Sequence, residues 1–320
     1  GRDRRQRQMC IRDRAGTMGL GISAHLANSN REVILLDLKG KESANQISEK
    51  AIDIIKKSDP PVLVERSRLE HIKPGNLEDD FDEIKDADWV IEAVVERIDI
   101  KHKLYSQIDK VRSPDSIISS NTSTIPLSIL TQEMSDTMKA DFCITHFFNP
   151  VRFMRLLEIV ETPTMNKDKM SGLRDFCQNE LGKGIVNCND TPGFIGNRIG
   201  VYAMQVAMYE ALERGLPVEI ADALFGRPLG IPKTGVFGLY DLIGIDLMKD
   251  VLASFKKELQ ENDPFMDVVA PHPLVEKLLE KGFNGNKGPG GFYQTTIVDD
   301  DEIVKAMNTS DMNYYDFDKV

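Results

Sequence analysis

The sequence is poor in cysteine. Its 320 residues include four cysteines, and no two of them form a CxxC pair. They are Cys10, Cys143, Cys177 and Cys188. Such wide spacing predicts neither a zinc site nor a disulfide framework. We therefore expect no bound metal and a reducing, cytoplasmic location.

The sequence also lacks long apolar runs and an excess of basic residues. No stretch approaches the roughly 18 consecutive apolar residues of a membrane span. The longest candidate, residues 89–95, is interrupted by Glu92. Asp and Glu number 51 against 40 Lys and Arg, which gives a formal net charge of -11. That charge opposes general attraction to nucleic acid. We expect neither a membrane span nor a nucleic-acid partner.

The composition is that of a folded protein with more than one domain. Hydrophobic residues make up 41% of the chain and charged residues 28%. These fractions lie far from the signature of disorder. A length of 320 residues favours two domains, each large enough to bury its own core.

Residues 15–37 predict a turn, a helix and a buried strand of a dinucleotide-binding domain. Gly16, Gly19 and Gly21 open the helix, and residues 33–36 form an apolar run typical of a parallel sheet. Asp37 ends that run about 20 residues after the glycines, where a carboxylate can bind both ribose hydroxyls. It would repel a 2′-phosphate, which favours NAD over NADP. The residues predicted to contact the cofactor at the turn are Gly16, Thr17, Met18 and Gly19.

The start of the chain departs from this pattern. Residues 1–14 (GRDRRQRQMCIRDR) contain six arginines, and we expect them to be a non-native start. Residues 9–11 could still form a short first strand. Arg14 stands where the first glycine of GxGxxG belongs, beside the approaching phosphates. We therefore expect weaker NAD binding than in a chain with an apolar strand ending in Gly-Ala-Gly.

Two further predicted strands end in polar residues. Residues 88–94 (DWVIEAV) read as a buried strand followed by a helix over residues 98–111, with Glu96 and Lys101 at their junction. Residues 116–120 lead into the sequence NTST. In doubly wound sheets ligands lie beyond the carboxyl ends of strands, although Ser and Thr there also cap helices. The local pattern leaves both readings open.

Residues 140–148 (ADFCITHFF) and 154–161 (MRLLEIVE) predict two adjacent strands joined by a short turn. His146 and Glu158 could then meet, with the carboxylate holding one imidazole nitrogen and leaving the other as a base. An ordinary histidine near a turn is the commoner outcome. The pair alone does not establish a site.

Five sequence motifs favour the functional interpretation of this pair, because together they closely resemble the 3-hydroxyacyl-CoA dehydrogenase family. In order, they are SNTST (residues 120–124), THFFNP (145–150), LLEIVE (156–161), DTPGFIGNR (190–198) and GPGGFY (288–293). The resemblance runs from residue 15 to about residue 293. It implies a Rossmann-type, doubly wound, mostly parallel sheet over residues 15–191, followed by an all-helical domain over residues 192–294.

The resemblance also implies roles for individual residues. His146 matches the catalytic base for the 3-hydroxyl, and Glu158 matches its acidic partner. Ser123 and Asn197 match neutral donors near the reacting atoms. The further positions that match cofactor contacts are Asp37, Glu96, Lys101 and Asn121. The implied reaction is NAD-dependent oxidation of an acyl-CoA substrate in fatty-acid β-oxidation.

The second half predicts helices over residues 194–214, 217–224, 239–255 and 273–281. Residues 295–320 are acidic and irregular, and we expect an exposed linker or tail without its own core. These extra residues and the sequence GRPLGIPKTG resemble those of multifunctional β-oxidation proteins. The implied partners are a second copy in a homodimer, or a downstream enoyl-CoA hydratase module.

Two alternatives remain open. A 3-hydroxyisobutyrate-type dehydrogenase shares the two-domain plan but uses a lysine base on the long helix, and no Lys lies between Asn197 and Arg214. A non-catalytic dinucleotide-binding relative of the family is the other alternative. Intact His146 and Glu158 argue against it.

Overall fold

The computed structural model describes residues 8–13, 16–230, 234–298 and 301–317. The chain divides into two compact units, Gly1–Phe194 and Ile195–Val320. Arg14 and residues 1–7 lie outside the described residues, so the predictions about them stay predictions.

The first unit contains one eight-stranded sheet and helices on both of its faces. Its strands are β1 Gln8–Asp13, β2 Val33–Asp37, β3 Ile72–Asn76, β4 Ala87–Ala93, β5 Ile117–Ser120, β6 Phe142–Phe147, β7 Leu156–Glu161 and β8 Gly184–Asn187. Its α-helices are α1 Thr17–Asn28, α2 Gln46–Lys57, α3 Ile98–Val111, α4 Leu127–Leu130, α5 Asp136–Lys139 and α6 Lys167–Asp175. A π-helical turn, Phe176–Glu180, continues α6.

The strand order is β3-β2-β1-β4-β5-β6-β7-β8. Neighbouring strands run parallel, except that β6 and β7 are antiparallel. The order of the first six strands is that of a doubly wound dinucleotide-binding sheet. The predicted short first strand is confirmed, since β1 pairs with β2 on one side and β4 on the other. The predicted Rossmann-type fold class is also confirmed.

Alternate side chains of the central strands enter two separate cores. In β2, Val33 and Leu35 pack in the cluster that contains α1, while Ile34 and Leu36 pack in the cluster that contains α3. Burial of each such side chain contributes about 2 kcal/mol. Because both faces of the sheet are covered, the polar residues that follow the strands gather at its carboxyl edge.

The second unit is mainly helical. Its helices are α7 Gly196–Glu213, α8 Val218–Leu224, α9 Phe237–Ile243, α10 Ile245–Glu258 and α11 Pro273–Glu280. The single helix predicted over residues 239–255 is wrong, because Gly244 interrupts it with φ 103° and separates α9 from α10. A glycine tolerates that positive φ, whereas other residues rarely do.

The linker prediction for residues 295–320 is wrong, because these residues add a small sheet to the predicted helical domain. Strands β9 Tyr293–Val298, β10 Asp301–Met307 and β11 Tyr314–Tyr315 form an antiparallel sheet. Ala306 and Met307 are fully buried in the core of this unit. The segment has few apolar residues, but strand pairing places these two where the helices cover them. These two residues are consecutive, so their burial depends on strand pairing and helix packing and not on an alternating pattern that the sequence could show.

Two buried carboxylates hold this sheet to the helices. Asp222 accepts hydrogen bonds from three backbone amides at the start of α9 and from the Tyr293 hydroxyl. Asp241 accepts from the amides of Phe292 and Tyr293, and burial raises the pKa of Asp241 to about 7. A Cβ on Gly291 would collide with Asp241. The GGFY string is therefore a packing element of the second unit.

No helix in the described part of the chain is long and apolar enough to cross a membrane. Among the described residues, no group of three His, Cys, Asp or Glu side chains is arranged to hold a metal ion.

Candidate active site

The antiparallel pair β6 and β7 brings His146 and Glu158 together. They are direct cross-strand partners, so their side chains lie on the same face of the sheet. His146 Nδ1 lies 2.7 Å from Glu158 Oε2. The carboxylate is fully buried and the histidine is 5% exposed. The predicted hydrogen bond between the two side chains is confirmed.

This geometry fixes the roles of the two imidazole nitrogens. A carboxylate can only accept, so Nδ1 carries the proton and donates it to Glu158. Nε2 is then the nitrogen with a lone pair able to take up a proton. The ring packs against Phe148, with ring centroids 4.4 Å apart, and against Phe194 at 5.7 Å. These contacts restrict rotation of the imidazole.

Cys188 extends the pair on the carboxylate side. Its Sγ donates a long hydrogen bond of 3.7 Å to Glu158 Oε1. Sequence reasoning did not connect this cysteine with the site, because β8 lies beyond β7 in the sheet and the pairing of Leu157 with Ile185 is a tertiary contact.

The turn after β5 is held by a second carboxylate. Glu96 Oε1 accepts from the Ser123 amide at 2.9 Å, and the Thr122 hydroxyl donates to both Glu96 oxygens at 2.9 and 3.0 Å. Asn121 Oδ1 accepts from the Phe147 amide at 2.9 Å, next to His146. The structure thus brings Asn121, Ser123 and Glu96 to the same edge as the histidine.

Lys101 is buried and forms an ion pair with Glu92. It is 1% exposed, and its Nζ lies 2.8 and 3.0 Å from the two oxygens of Glu92. It also lies 3.4 Å from Glu96. Glu92 was not identified from the sequence as the partner of Lys101. The available signal was a carboxylate inside an otherwise apolar strand, which is costly to bury without partners.

The glycine turn provides the start of α1. Gly16 precedes the helix in extended conformation, and no described side chain caps the first amides. Such amides carry partial positive charge and can face an anionic group. Gly21 serves packing instead, since a Cβ there would lie 2.8 Å from Val151 Cγ2. Thr17 is exposed, Met18 is half-buried and Gly19 is buried.

Asp37 ends β2 at the same edge of the sheet. Its side chain is largely buried, and Oδ1 accepts from the Leu38 amide at 2.5 Å. That bond orients the carboxylate at the end of the strand, and its predicted contact with a ribose stays a prediction.

Asn197 belongs to the second unit, where it is half-buried in the first turn of α7. Its predicted place beside the substrate oxygens stays a prediction.

Comparison with known proteins agrees with this architecture. Residues 15–191 match the family model "3-hydroxyacyl-CoA dehydrogenase, NAD binding domain", and residues 193–295 match "3-hydroxyacyl-CoA dehydrogenase, C-terminal domain".

Individual relatives agree as well. A putative fatty acid oxidation complex trifunctional enzyme from Rickettsia felis is 41% identical over 96% of this chain and 43% of its own length. A probable 3-hydroxyacyl-CoA dehydrogenase from Deinococcus radiodurans is 35% identical over 88% of this chain and 81% of its own. The crystal structure of (S)-3-hydroxybutyryl-CoA dehydrogenase from Ralstonia eutropha has a TM-score of 0.72 and 28% identity, covering 90% and 98% of the two chains.

The chain spans less than half the length of the Rickettsia relative. Two family models nevertheless cover both of its units, with an NAD-binding domain in the first. The chain belongs to the 3-hydroxyacyl-CoA dehydrogenase family.

Proposed function

We propose that the chain catalyses NAD-dependent oxidation of (S)-3-hydroxyacyl-CoA to 3-oxoacyl-CoA in fatty-acid β-oxidation. The single observation that carries the proposal is the buried hydrogen bond of 2.7 Å between His146 and Glu158. It holds a base of suitable chemistry at the carboxyl edge of a dinucleotide-binding sheet. Family membership supports the choice of substrate class.

The residues present fit NAD. The uncapped amides at the start of α1 suit the pyrophosphate, and the Asp37 carboxylate suits the ribose hydroxyls. NAD, when bound, supplies the acceptor for the hydride that leaves carbon 3 of the substrate.

His146 Nε2 takes the proton of the 3-hydroxyl as carbon 3 loses its hydride. The imidazole then becomes an imidazolium, and Glu158 stabilises its charge from the Nδ1 side. In the reverse direction the same nitrogen returns the proton to the oxygen. Since Glu158 is fully buried, little water screens this interaction.

Neutral groups orient the reactants. We assign Ser123 to the region of the substrate hydroxyl and nicotinamide, and Asn197 to the substrate oxygens. Glu96 and Asn121 act on the cofactor side, where Glu96 also fixes the Ser123 amide. The neutral donors Ser123 and Asn197 align the reacting carbon without competing for the proton.

We further propose that the chain assembles as a homodimer or contacts an enoyl-CoA hydratase module, as expected for a multifunctional β-oxidation protein. The name of the Rickettsia relative as a trifunctional enzyme supports the second arrangement. A cytoplasmic location is proposed on the scattered cysteines, and fractionation of the source cells tests it.

The experiment is oxidation of NADH by the purified chain with acetoacetyl-CoA, followed by absorbance. We expect turnover that requires the CoA thioester, with NADH strongly preferred over NADPH. Free 3-hydroxyisobutyrate with NAD serves as the control for the alternative dehydrogenase type. NADH binding without turnover of acetoacetyl-CoA would contradict the proposal and favour a non-catalytic relative.

A further inference from the structure

Glu92 is a fully buried carboxylate in the middle of the sheet that the proposed mechanism does not use. Its Oε1 accepts from the Val94 amide at 2.6 Å and from Lys101 at 2.8 Å. Its Oε2 accepts from Lys101 at 3.0 Å, the Tyr105 hydroxyl at 2.5 Å and the Ser120 hydroxyl at 2.7 Å. Both oxygens therefore have good hydrogen-bond donors.

Two branches lead from this carboxylate to the candidate site. In one, Lys101 lies between Glu92 and Glu96, and Glu96 holds the Ser123 amide. In the other, Ser120 bonds Glu92 through its hydroxyl, and the same hydroxyl accepts from the Thr122 amide at 3.2 Å. The turn that carries Ser123 is thus attached to Glu92 on both sides.

The Tyr105 branch leads mainly to the hydrophobic core. Tyr105 lies in α3, and its ring packs against Phe142 in the hydrophobic core. Burial raises its pKa, with the Glu92 charge adding to the effect, so the hydroxyl stays protonated and donates. Tyr105 therefore contributes to the same carboxylate, and because its hydroxyl also interacts with that of Ser120, it reaches the turn only through Ser120.

We propose that Glu92 is a positioning residue for hydride transfer, which holds Glu96 and the turn carrying Asn121 and Ser123 through Lys101 and Ser120. This inference rests on the proposed function. Glu92 need not be retained for stability, because well-packed apolar side chains often stabilise a core as well as a buried ion pair does. Its partners instead place charge and hydrogen bonds directly beneath the polar turn.

The test uses two matched variants that each remove one hydroxyl donor from the same oxygen, Glu92 Oε2. Ser120→Ala cuts the branch to the turn, whereas Tyr105→Phe cuts the branch to the core. We expect both to lower the melting temperature. Ser120→Ala should lower kcat with acetoacetyl-CoA by about tenfold or more, and Tyr105→Phe by much less, because misplacement of reacting groups by about 1 Å can cost roughly a hundredfold.

Binding of NADH, followed by its fluorescence, gives a readout that does not depend on turnover. Ser120→Ala and Glu92→Gln should raise the Kd for NADH, while Tyr105→Phe should leave it close to the wild-type value. Glu92→Gln keeps the shape of the side chain and should reduce kcat at least as much as Ser120→Ala. If Glu92→Gln does not fold, the comparison of Ser120→Ala with Tyr105→Phe still tests whether Glu92 positions the turn.

The outcomes separate this inference from the proposed function. Equal losses of kcat in Ser120→Ala and Tyr105→Phe, in proportion to their losses of stability, would mean a merely structural role and overturn the inference. A wild-type chain that binds NADH without reducing acetoacetyl-CoA contradicts the proposed function, and the Kd comparison then decides whether Glu92 positions the turn. Absence of NADH binding to the wild type would overturn the inference as well.

Discussion

Replacement of Glu158 by Gln is the change that isolates the charge of the carboxylate. The two side chains have nearly the same shape, and the Gln amide oxygen can still accept from His146 Nδ1. What disappears is the negative charge 2.7 Å from the imidazole nitrogen. Because Glu158 is fully buried, solvent cannot replace that charge.

The magnitude follows from the geometry. Two unit charges whose centres lie about 4 Å apart interact by about 4 kcal/mol at an effective dielectric constant near 20. The imidazolium charge is only partly formed in the transition state, and the retained hydrogen bond keeps about 1 kcal/mol. A net loss of about 1.5 to 3 kcal/mol remains, which corresponds to a fall in kcat of roughly tenfold to a hundredfold.

The assay measures kcat in both directions, since acetoacetyl-CoA reduction and 3-hydroxybutyryl-CoA oxidation share one transition state. The matched control is Glu161→Gln, three residues along the same strand. Glu161 forms ion pairs with Arg174 and Lys167 and does not contact the imidazole. A Glu158→Gln protein with the kcat of the control would show that the Glu158 charge does not stabilise the imidazolium.

Three further predictions concern the cofactor, the C-terminal sheet and pH. Asp37→Asn should raise the Kd for NADH by about tenfold through loss of a charge-assisted hydrogen bond. It should also reduce the preference for NADH over NADPH. If paired fluorescence titrations show the same preference as the wild type, Asp37 does not bind the ribose. Met307→Ala should lower the free energy of unfolding by about 2 to 5 kcal/mol. Ile297, by contrast, is 78% exposed, so Ile297→Ala should change this free energy by less than about 0.5 kcal/mol. Equal urea midpoints for the two variants would argue against a packed C-terminal sheet. Burial, with the Lys183 charge, lowers the pKa of His25 from 6.5 to about 4. The unfolded chain therefore binds this proton at a higher pH than the folded chain, and the free energy of unfolding should rise between pH 4 and 6.5 by at most about 3 kcal/mol. Urea titrations of His25→Asn should show a smaller rise over this pH range, and a rise equal to that of the wild type would contradict the prediction.

The first unit was largely predictable from the sequence because its signals are local. The glycine turn indicates the start of a helix, and the apolar run over residues 33–36 indicates the buried strand that follows it. Asp37 marks the end of that strand. The pairing of His146 with Glu158 was predictable as well, since a short turn between two strand-like runs leaves few alternatives. The family strings then assigned chemistry to this pair.

The remaining features depend on contacts distant in sequence. Lys101 was predicted to contact the cofactor, yet its buried position depends on Glu92 and on the close approach of α3 to β4 and β5. Residues 301–307 look like an acidic tail until antiparallel pairing with β9 places Ala306 and Met307 against the core of the second unit. Local composition does not contain such tertiary pairings, so it could not predict either outcome.

We propose His146 as the base of an NAD-dependent 3-hydroxyacyl-CoA dehydrogenase. The most direct measurement is kcat for 3-hydroxybutyryl-CoA oxidation by His146→Gln, with the Kd for NADH measured on the same preparation. Gln cannot take up the proton, so kcat should fall by at least about a hundredfold while NADH binding stays nearly unchanged. Retention of wild-type kcat by the folded variant would show that His146 is not the base.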